Sequence, residues 1–438
     1  MSDTVSLEIP TPPRKRIAYL TSRFPVISET FILYEMIELE RLGMRVEVFP
    51  LIRQHERVMH AEAAGILQRV HHAGYFSWTV LRAQWYWLRN RPGAYARAWW
   101  RALRGNLRSP KFLSRALIVV PQAAWFAQEM QRIGVAHVHA HWATHPALAA
   151  YVVHLLTGLP YSITAHAHDI YVERPMLDEK IRAASFVVTI SDYNRRLLES
   201  WYGSLAAAKT HVIHCGIDTT VFQPRPKRPR AEVFTIVCVA TLRDYKGHPY
   251  LIEACAHLKA QQIPFRCLLI GDGEERAAIE ALIARHGLEQ DVILLGQQPR
   301  HQVSAILRSA DVMVLPSVRT ASGKQEGIPV ALMEALASEL PVVATAISGI
   351  PELIEDGQTG LLVPERDAQA LAQALRRLYE QPELGCRLGA AGRAKVLRDF
   401  DLRKNATALY ELLRQDWKST VPDHDVATRT RMVSHEQM

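Results

Sequence analysis

Short apolar runs alternate with amphipathic stretches along most of this chain, and that pattern leaves parallel sheets layered with helices as the architecture it can fold into. Residues 16–21 read as a buried strand, 28–43 as a helix with Ser28 as N-cap and Gly43 as its stop, and 45–49 as the next strand. Strand, helix and strand with short connections make a βαβ unit, whose two strands run parallel. The alternation resumes with strands at 135–139, 161–164, 185–190 and 210–213 and helices at 146–157, 180–184 and 192–200.

Gln223-Pro-Arg-Pro-Lys-Arg-Pro-Arg230 interrupts the pattern with proline and charge and reads as an interdomain linker. A second series follows: strands at 235–240, 266–270, 292–295, 311–315 and 341–345, with helices at 250–261, 275–286, 301–309, 329–337, 349–354 and 368–378. Further helices run to about residue 417. The expected division is 14–222, with a basic aromatic helical segment at 63–128, a linker at 223–231 and a second domain at 232–398. A helix at 399–417 packs back on the first domain, and 418–438 form a flexible tail. Two doubly wound domains of 438 residues in all place ligands at the carboxyl ends of their strands, in a shared cleft.

Charge bears on partners. Between Ala63 and Gln128 there is no Asp or Glu, yet ten Lys and Arg fall there; with +8 overall, the remainder sums to −2. Local basicity of this kind suits an anionic partner: a membrane surface, a phosphate-bearing ligand or a nucleic acid. The five cysteines show no C-x-x-C spacing, which supports neither a disulfide framework nor a zinc site and points to a reducing cytosol. Residues 1–13 lack the apolar core of a secretory leader, and no run of about 20 apolar residues occurs. The expected location is cytoplasmic, with peripheral attachment to the inner face of the cytoplasmic membrane as an extension of it.

Three loops carry chemistry. Glu326-Gly-Ile-Pro-Val-Ala-Leu-Met-Glu334 separates two glutamates by seven residues, with Gly327 freeing the backbone and Pro329 suited to a first helical turn. Such a helix start offers N–H groups to a diphosphate, Glu326 accepts from sugar hydroxyls, and Glu334 grips ribose hydroxyls. Two solvent-facing glutamates around a helix start fit the same spacing. In Ala240-Thr-Leu-Arg-Asp-Tyr-Lys-Gly247, Arg243 and Lys246 can neutralise a leaving diphosphate. Thr164-Ala-His-Ala-His-Asp169 places His166 and His168 at a strand's end. With His137, His139, His141 and His145 these invite a metal reading, but they belong to different strand ends and no acidic pattern completes a site, so no metal is expected. Gly271-Asp-Gly273 is a fragment of a dinucleotide fingerprint and marks a strand-to-helix turn.

Arg23 to Phe31, Thr164 to Asp169, His214-Cys-Gly-Ile-Asp218, Gly271 to Gly273, Glu326 to Glu334 and Ser348-Gly-Ile-Pro-Glu352 resemble, in order, the motifs of the family 4 retaining glycosyltransferases. The likeness spans about residues 16–417 and is nearest the subgroup that builds exopolysaccharides of the colanic-acid type. It implies a GT-B fold: α/β, two doubly wound Rossmann-like domains facing across a cleft, acceptor-binding first and nucleotide-sugar-binding second. It implies a retaining, metal-independent hexosyl transfer from a UDP- or GDP-sugar to a glycan acceptor, lipid-linked in this reading, with no cofactor beyond the donor. By the same resemblance Glu326 and His166 contact the donor sugar, with His168 the rival of His166, and Glu334 binds the ribose. Gly327, Ile328 and Pro329 lend backbone N–H groups, and Lys246 binds phosphate. The family's arginine five residues before that lysine is Thr241 here, and Arg243 is the candidate substitute. Retention by front-face attack, with the departing phosphate deprotonating the acceptor hydroxyl, is the mechanism the family favours.

Six of the nine tryptophans lie inside or beside the acid-free stretch. On a helix over 94–107, Arg97, Arg101, Arg104 and Arg108 share one face and Tyr95, Trp99 and Leu103 another, with Trp100 and Leu107 close by. Such a helix can lie on an anionic bilayer; it can equally pack its aromatics on the domain and leave the arginines in water. The competing functions are another GT-B enzyme such as a sugar-nucleotide epimerase or a phosphorylase, and a non-enzymatic membrane or nucleic-acid binding protein. The last would leave the ordered motifs without a purpose, and nucleic acid is not an expected partner.

Overall fold

The computed structural model describes residues 15–26, 30–54, 64–224 and 232–420. The first sheet contains β1 (Arg16–Phe24), β2 (Arg45–Arg53), β3 (Val135–His141), β4 (Tyr161–Ala165), β5 (Phe186–Thr189) and β6 (Thr210–Val212), in the order β2-β1-β3-β4-β5-β6. The second contains β7 (Phe234–Val239), β8 (Phe265–Ile270), β9 (Val292–Gly296), β10 (Val312–Leu315), β11 (Val342–Thr345) and β12 (Leu361–Val363), in the order β12-β11-β10-β7-β8-β9. β1 pairs in parallel with β2 and β3, and β7 with β8 and β10. Helices cover both faces of a sheet of this kind, so its strands are apolar throughout rather than alternating. Ile17 to Leu20 and Val312 to Leu315 are accordingly buried without a break.

Both orders reverse once. In the first sheet the reversal lies between β1 and β3; in the second it lies between β7 and β10. A reversal leaves a crevice at the strands' carboxyl ends, because the loops on either side run off in opposite directions. The β7 loop contains Lys246 and the β10 loop contains Glu326, so strand order alone brings these two residues together.

By packing, residues 164–182 and 186–406 form one compact unit; the chain up to 163, residues 183–185 and the segment from 407 form the other. Most of the expected linker at 223–231 lies outside the described residues, as do Ser28 and the tail from 421. In the first unit the last helix (Leu402–Thr420) brings Asp416 Oδ2 to 3.0 Å from His137 Nδ1, and Lys15 Nζ lies 4.8 Å from the centre of the Trp417 ring. In the second, helix Ala368–Glu380 buries Leu371, Ala372, Leu375 and Leu378 on one stripe, and the Asp367 carboxylate caps it at Ala370 N (2.8 Å), a cap worth about 1 kcal/mol.

The basic aromatic segment folds as helices Trp78–Asn90, Pro92–Asn106 and Pro110–Ile133. Of the two arrangements open to the helix over 94–107, the Tyr95 face takes the packed one. Tyr95, Trp99 and Leu103 are half-buried, and the Tyr95 hydroxyl donates to Gln84 Oε1 at 2.9 Å, so that face packs inward. Trp87 is buried and its indole N–H donates to the Ala124 carbonyl at 2.7 Å. The most exposed aromatics of the segment are Phe76, Trp78, Trp85 and Trp100.

Candidate functional site

Every residue singled out for sugar and phosphate chemistry lies in the second unit. After β7 the chain makes a short 3-10 turn, Asp244–Lys246, and enters helix His248–Ala260 through Gly247, whose φ is 72°. A Cβ at Gly247 would stand 1.8 Å from the Pro316 carbonyl oxygen, so only glycine lets this loop approach the end of β10. That approach sets Lys246 beside Glu326, and the two form an ion pair with side chains only 14% and 12% exposed. Burial pulls the Lys246 pKa down, but the Glu326 carboxylate and the Tyr245 phenol outweigh it and hold it above the ordinary lysine value. Next to it His248 is buried with no partner for either ring nitrogen; burial and the Lys246 charge lower its pKa to about 4. It is a neutral imidazole at physiological pH.

Arg243 is exposed and donates to Glu274 Oε1 at 3.1 Å, on the rim of a 220 Å³ cavity shared with His248 and Glu275. The Gly271–Gly273 turn is tied to the same loop, Leu242 N donating to the Asp272 carbonyl at 3.1 Å.

Gly327 follows Glu326, and a Cβ there would lie 2.6 Å from Ile190 Cδ1 and 3.7 Å from Ala167 Cβ. The loop thus rests on the side chains of Ile190 and of Ala167, the residue after His166. Ser348 braces it, its hydroxyl donating to the Glu326 carbonyl and lying 3.2 Å from that of Gly327. Helix Val330–Ala337 starts one residue later than expected, with Pro329 as its N-cap. Proline has no N–H, so Pro329 cannot be one of the three expected donors; the backbone N–H groups at this helix start belong to Gly327, Ile328 and the first residues of the helix. Glu334 sits on this helix, partly buried; burial raises its pKa to about 7, against the opposing charge of Arg300.

His166 is buried, whereas His168 is exposed with Glu173 Oε2 at 3.7 Å. The Asp169 carboxylate accepts from His166 N (3.1 Å) and Ala167 N (3.0 Å), and Asn194 Nδ2 donates to the His166 carbonyl at 2.5 Å. Behind the loop Lys180 is fully buried, and burial brings its pKa to about 7 against the pull of Asp169. Glu352 accepts from Asp192 N (2.8 Å) and Tyr193 N (2.7 Å) at the start of helix Asp192–Lys209, a favourable place for a carboxylate.

Asn194, Lys180 and Tyr171, whose hydroxyl donates to Asn194 Oδ1, escaped the sequence reading. Asn194 and Lys180 sit within amphipathic helices, and nothing in their spacing separates a loop-bracing side chain from an ordinary helical one. The first unit holds His137, His139, His141 and His145. His141 Nε2 lies 2.9 Å from Glu35 Oε1, so an acidic neighbour absent from the local pattern arrives from 106 residues away.

Two family descriptions match the chain: "Glycosyltransferase Family 4" over residues 28–221 and "Glycosyl transferases group 1" over 222–395. WcaL of Escherichia coli (strain K12), assigned by its name to colanic acid biosynthesis as a glycosyltransferase, is 33% identical over 431 residues, 91% of this chain and 99% of its own. The amylovoran biosynthesis glycosyltransferase AmsK of Erwinia amylovora is 41% identical over 209 residues, covering 48% of this chain and 51% of that one. Among solved structures, a glycosyltransferase from Rickettsia africae superposes with a TM-score of 0.70 at 18% identity, covering 93% of this chain and all of that one. Anabaena HepE in complex with UDP superposes at 0.67 and 19%, covering 92% and 100%. At such identities the structural likeness is one of fold.

Proposed function

Because the chain belongs to the family 4 glycosyltransferases of GT-B fold, we propose that it moves a sugar from a UDP- or GDP-linked donor to a glycan acceptor, lipid-linked, in the synthesis of a cell-surface polysaccharide. The observation that carries this reading is the shielded Lys246–Glu326 pair at the second sheet's switch point, beside a helix start and the buried His166.

In this reading Glu326 accepts hydrogen bonds from the donor sugar, and Glu334 accepts from the ribose. Gly327, Ile328 and the helix start face the diphosphate. Lys246 supplies positive charge where the leaving group gains negative charge, in surroundings that strengthen the interaction. Arg243 joins it by exchanging Glu274 for phosphate, and the two cations serve in place of a divalent ion. His166, fixed on both sides by Asp169 and Asn194, meets the sugar; exposed His168 does not. Transfer proceeds with retention, the departing phosphate taking the acceptor's proton.

A thermal-shift screen of UDP- and GDP-sugars tests the reading. A donor at a hundred times its Kd adds about 2.7 kcal/mol of stability, and Glu334→Ala should abolish that response. If no nucleotide sugar shifts the wild type, or the variant responds equally, the reading fails.

The basic aromatic segment extends the proposal to an anionic bilayer. Trp78, Leu81, Trp85 and Leu88 form one exposed stripe on helix Trp78–Asn90, edged by Arg82 and Arg89. On the next helix and just past its end, Trp100 and Leu107 accompany exposed Arg97, Arg101, Arg104 and Arg108. Aromatics at the level of the headgroups with arginines on the phosphates suit a helix lying in the interface. Among the described residues no helix is long and apolar enough to cross a membrane. The protein should float with liposomes containing anionic lipid and not with neutral ones, and Trp78→Ala/Trp85→Ala should release it. Binding indifferent to lipid charge would overturn the docking.

A further inference from the structure

The reversal of the first sheet, between β1 and β3, has its own group of facing side chains. Tyr19 of β1 pairs in register with His139 of β3, and His141 ends that strand. Glu35 reaches them from helix Thr30–Arg41. One carboxylate oxygen and one nitrogen from each histidine lie within 4.8 Å of one another. Both histidines are buried, at 0% and 1% exposure. From this juxtaposition we propose that Glu35, His139 and His141 form a binding site for a divalent transition-metal ion, with zinc the best fit.

Two imidazoles and a carboxylate are a borderline-soft donor set that favours zinc over magnesium or calcium, which prefer oxygen ligands throughout. Metal-binding histidines are usually oriented through the ring nitrogen that does not bind, and that support is present. Ser162 Oγ lies 2.8 Å from His139 Nδ1 and orients the ring. The same hydroxyl lies 2.7 Å from His137 Nε2, and His137 continues to Asp416 Oδ2 at 3.0 Å. On the other side the buried Tyr19 hydroxyl donates to Glu35 Oε1 at 2.7 Å and fixes the carboxylate. The Tyr19 ring stacks on that of His141, with centroids 5.5 Å apart, and limits its rotation. The 2.9 Å contact between His141 Nε2 and Glu35 Oε1 becomes the edge of a coordination shell when an ion binds both atoms. Three protein ligands leave a fourth position for water or for an oxygen of a bound molecule.

The test uses tag-free, full-length protein stripped with chelator and titrated with zinc chloride by calorimetry and with cobalt chloride by visible absorption. We expect one equivalent of either ion and the intense visible bands of four-coordinate cobalt. His141→Ala should abolish both. Ser162→Ala should weaken binding by about 10- to 100-fold, the usual loss when an orienting partner goes. Glu35→Gln retains hydrogen-bonding groups toward Tyr19 and His141 but removes the anionic ligand, and it carries the test if His141→Ala fails to fold. His168→Ala, at an exposed histidine elsewhere, should change nothing. Absence of stoichiometric binding, or binding undiminished in Glu35→Gln, overturns the proposal. The thermal shift of the stripped protein with nucleotide sugars reads the donor site separately.

Discussion

Glu326→Gln should lower kcat/KM by about a thousandfold, Lys246→Ala should do the same, and the double substitution should cost little more than either alone. The two groups are shielded from water and face each other. Removing one partner takes away a preorganised charge aimed at the leaving group, a loss of about 2.7–4 kcal/mol of transition-state stabilisation. At about 1.4 kcal/mol per decade, two to three decades of rate are at stake if the donor meets the pair in the transition state. Residues that act as one unit lose their shared contribution only once, so the double-mutant cycle should show a large coupling energy. Steady-state transfer assays supply the four rate constants, and urea unfolding of each variant separates lost activity from lost fold. Singles that retain activity within about threefold of wild type, or losses that simply add, would remove the pair from the mechanism.

Much of the second sheet could be read from the chain because its strands are short and mostly apolar runs, as in Val312 to Leu315, the pattern of a parallel strand buried on both faces. Strand order could not be read that way. It depends on which crossover passes which neighbour, and it alone brings the β7 and β10 loops together. Gly247 and Gly327 show the same division. Their presence in the motifs was visible, but the Pro316 carbonyl and the Ile190 side chain that exclude a Cβ there come from distant segments. In the basic segment the helical period identified two faces but left open whether the aromatic one meets lipid or the domain. Gln84, on another helix, supplies Tyr95 with a partner and turns that face inward. A polar partner brought by the fold decides whether an aromatic face turns inward. The histidines of β3 teach the converse: the carboxylate judged missing is present, supplied by the helix after β1.

Nucleotide affinity should depend on pH through Glu334. Burial raises its pKa to about 7 in the free protein, so near neutrality a large fraction carries a proton. Ribose hydroxyls donate to the ionised carboxylate, so binding favours loss of that proton and lowers the pKa in the complex. Apparent affinity therefore rises with pH up to about 7 and levels off above it. Between pH 6 and pH 8 the dissociation constant of the nucleoside diphosphate should fall by about tenfold. Calorimetry in two buffers of different ionisation enthalpy should show proton release at pH 6 and little at pH 8. The same carboxyl affects folding with the opposite trend. A pKa raised from the ordinary glutamate range means the folded state holds the proton longer than the unfolded chain. Stability is thus unaffected below about pH 4, falls as pH rises to about 7, and is then constant at a cost of at most about 3 kcal/mol. Glu334→Gln removes the ionisation, so its melting temperature should match wild type at pH 4 and exceed it at pH 8, while nucleotide affinity drops and loses its pH dependence. A variant equally stable at both pH values, or an affinity flat from pH 6 to pH 8 in the wild type, would show that Glu334 is already ionised or does not meet the ribose.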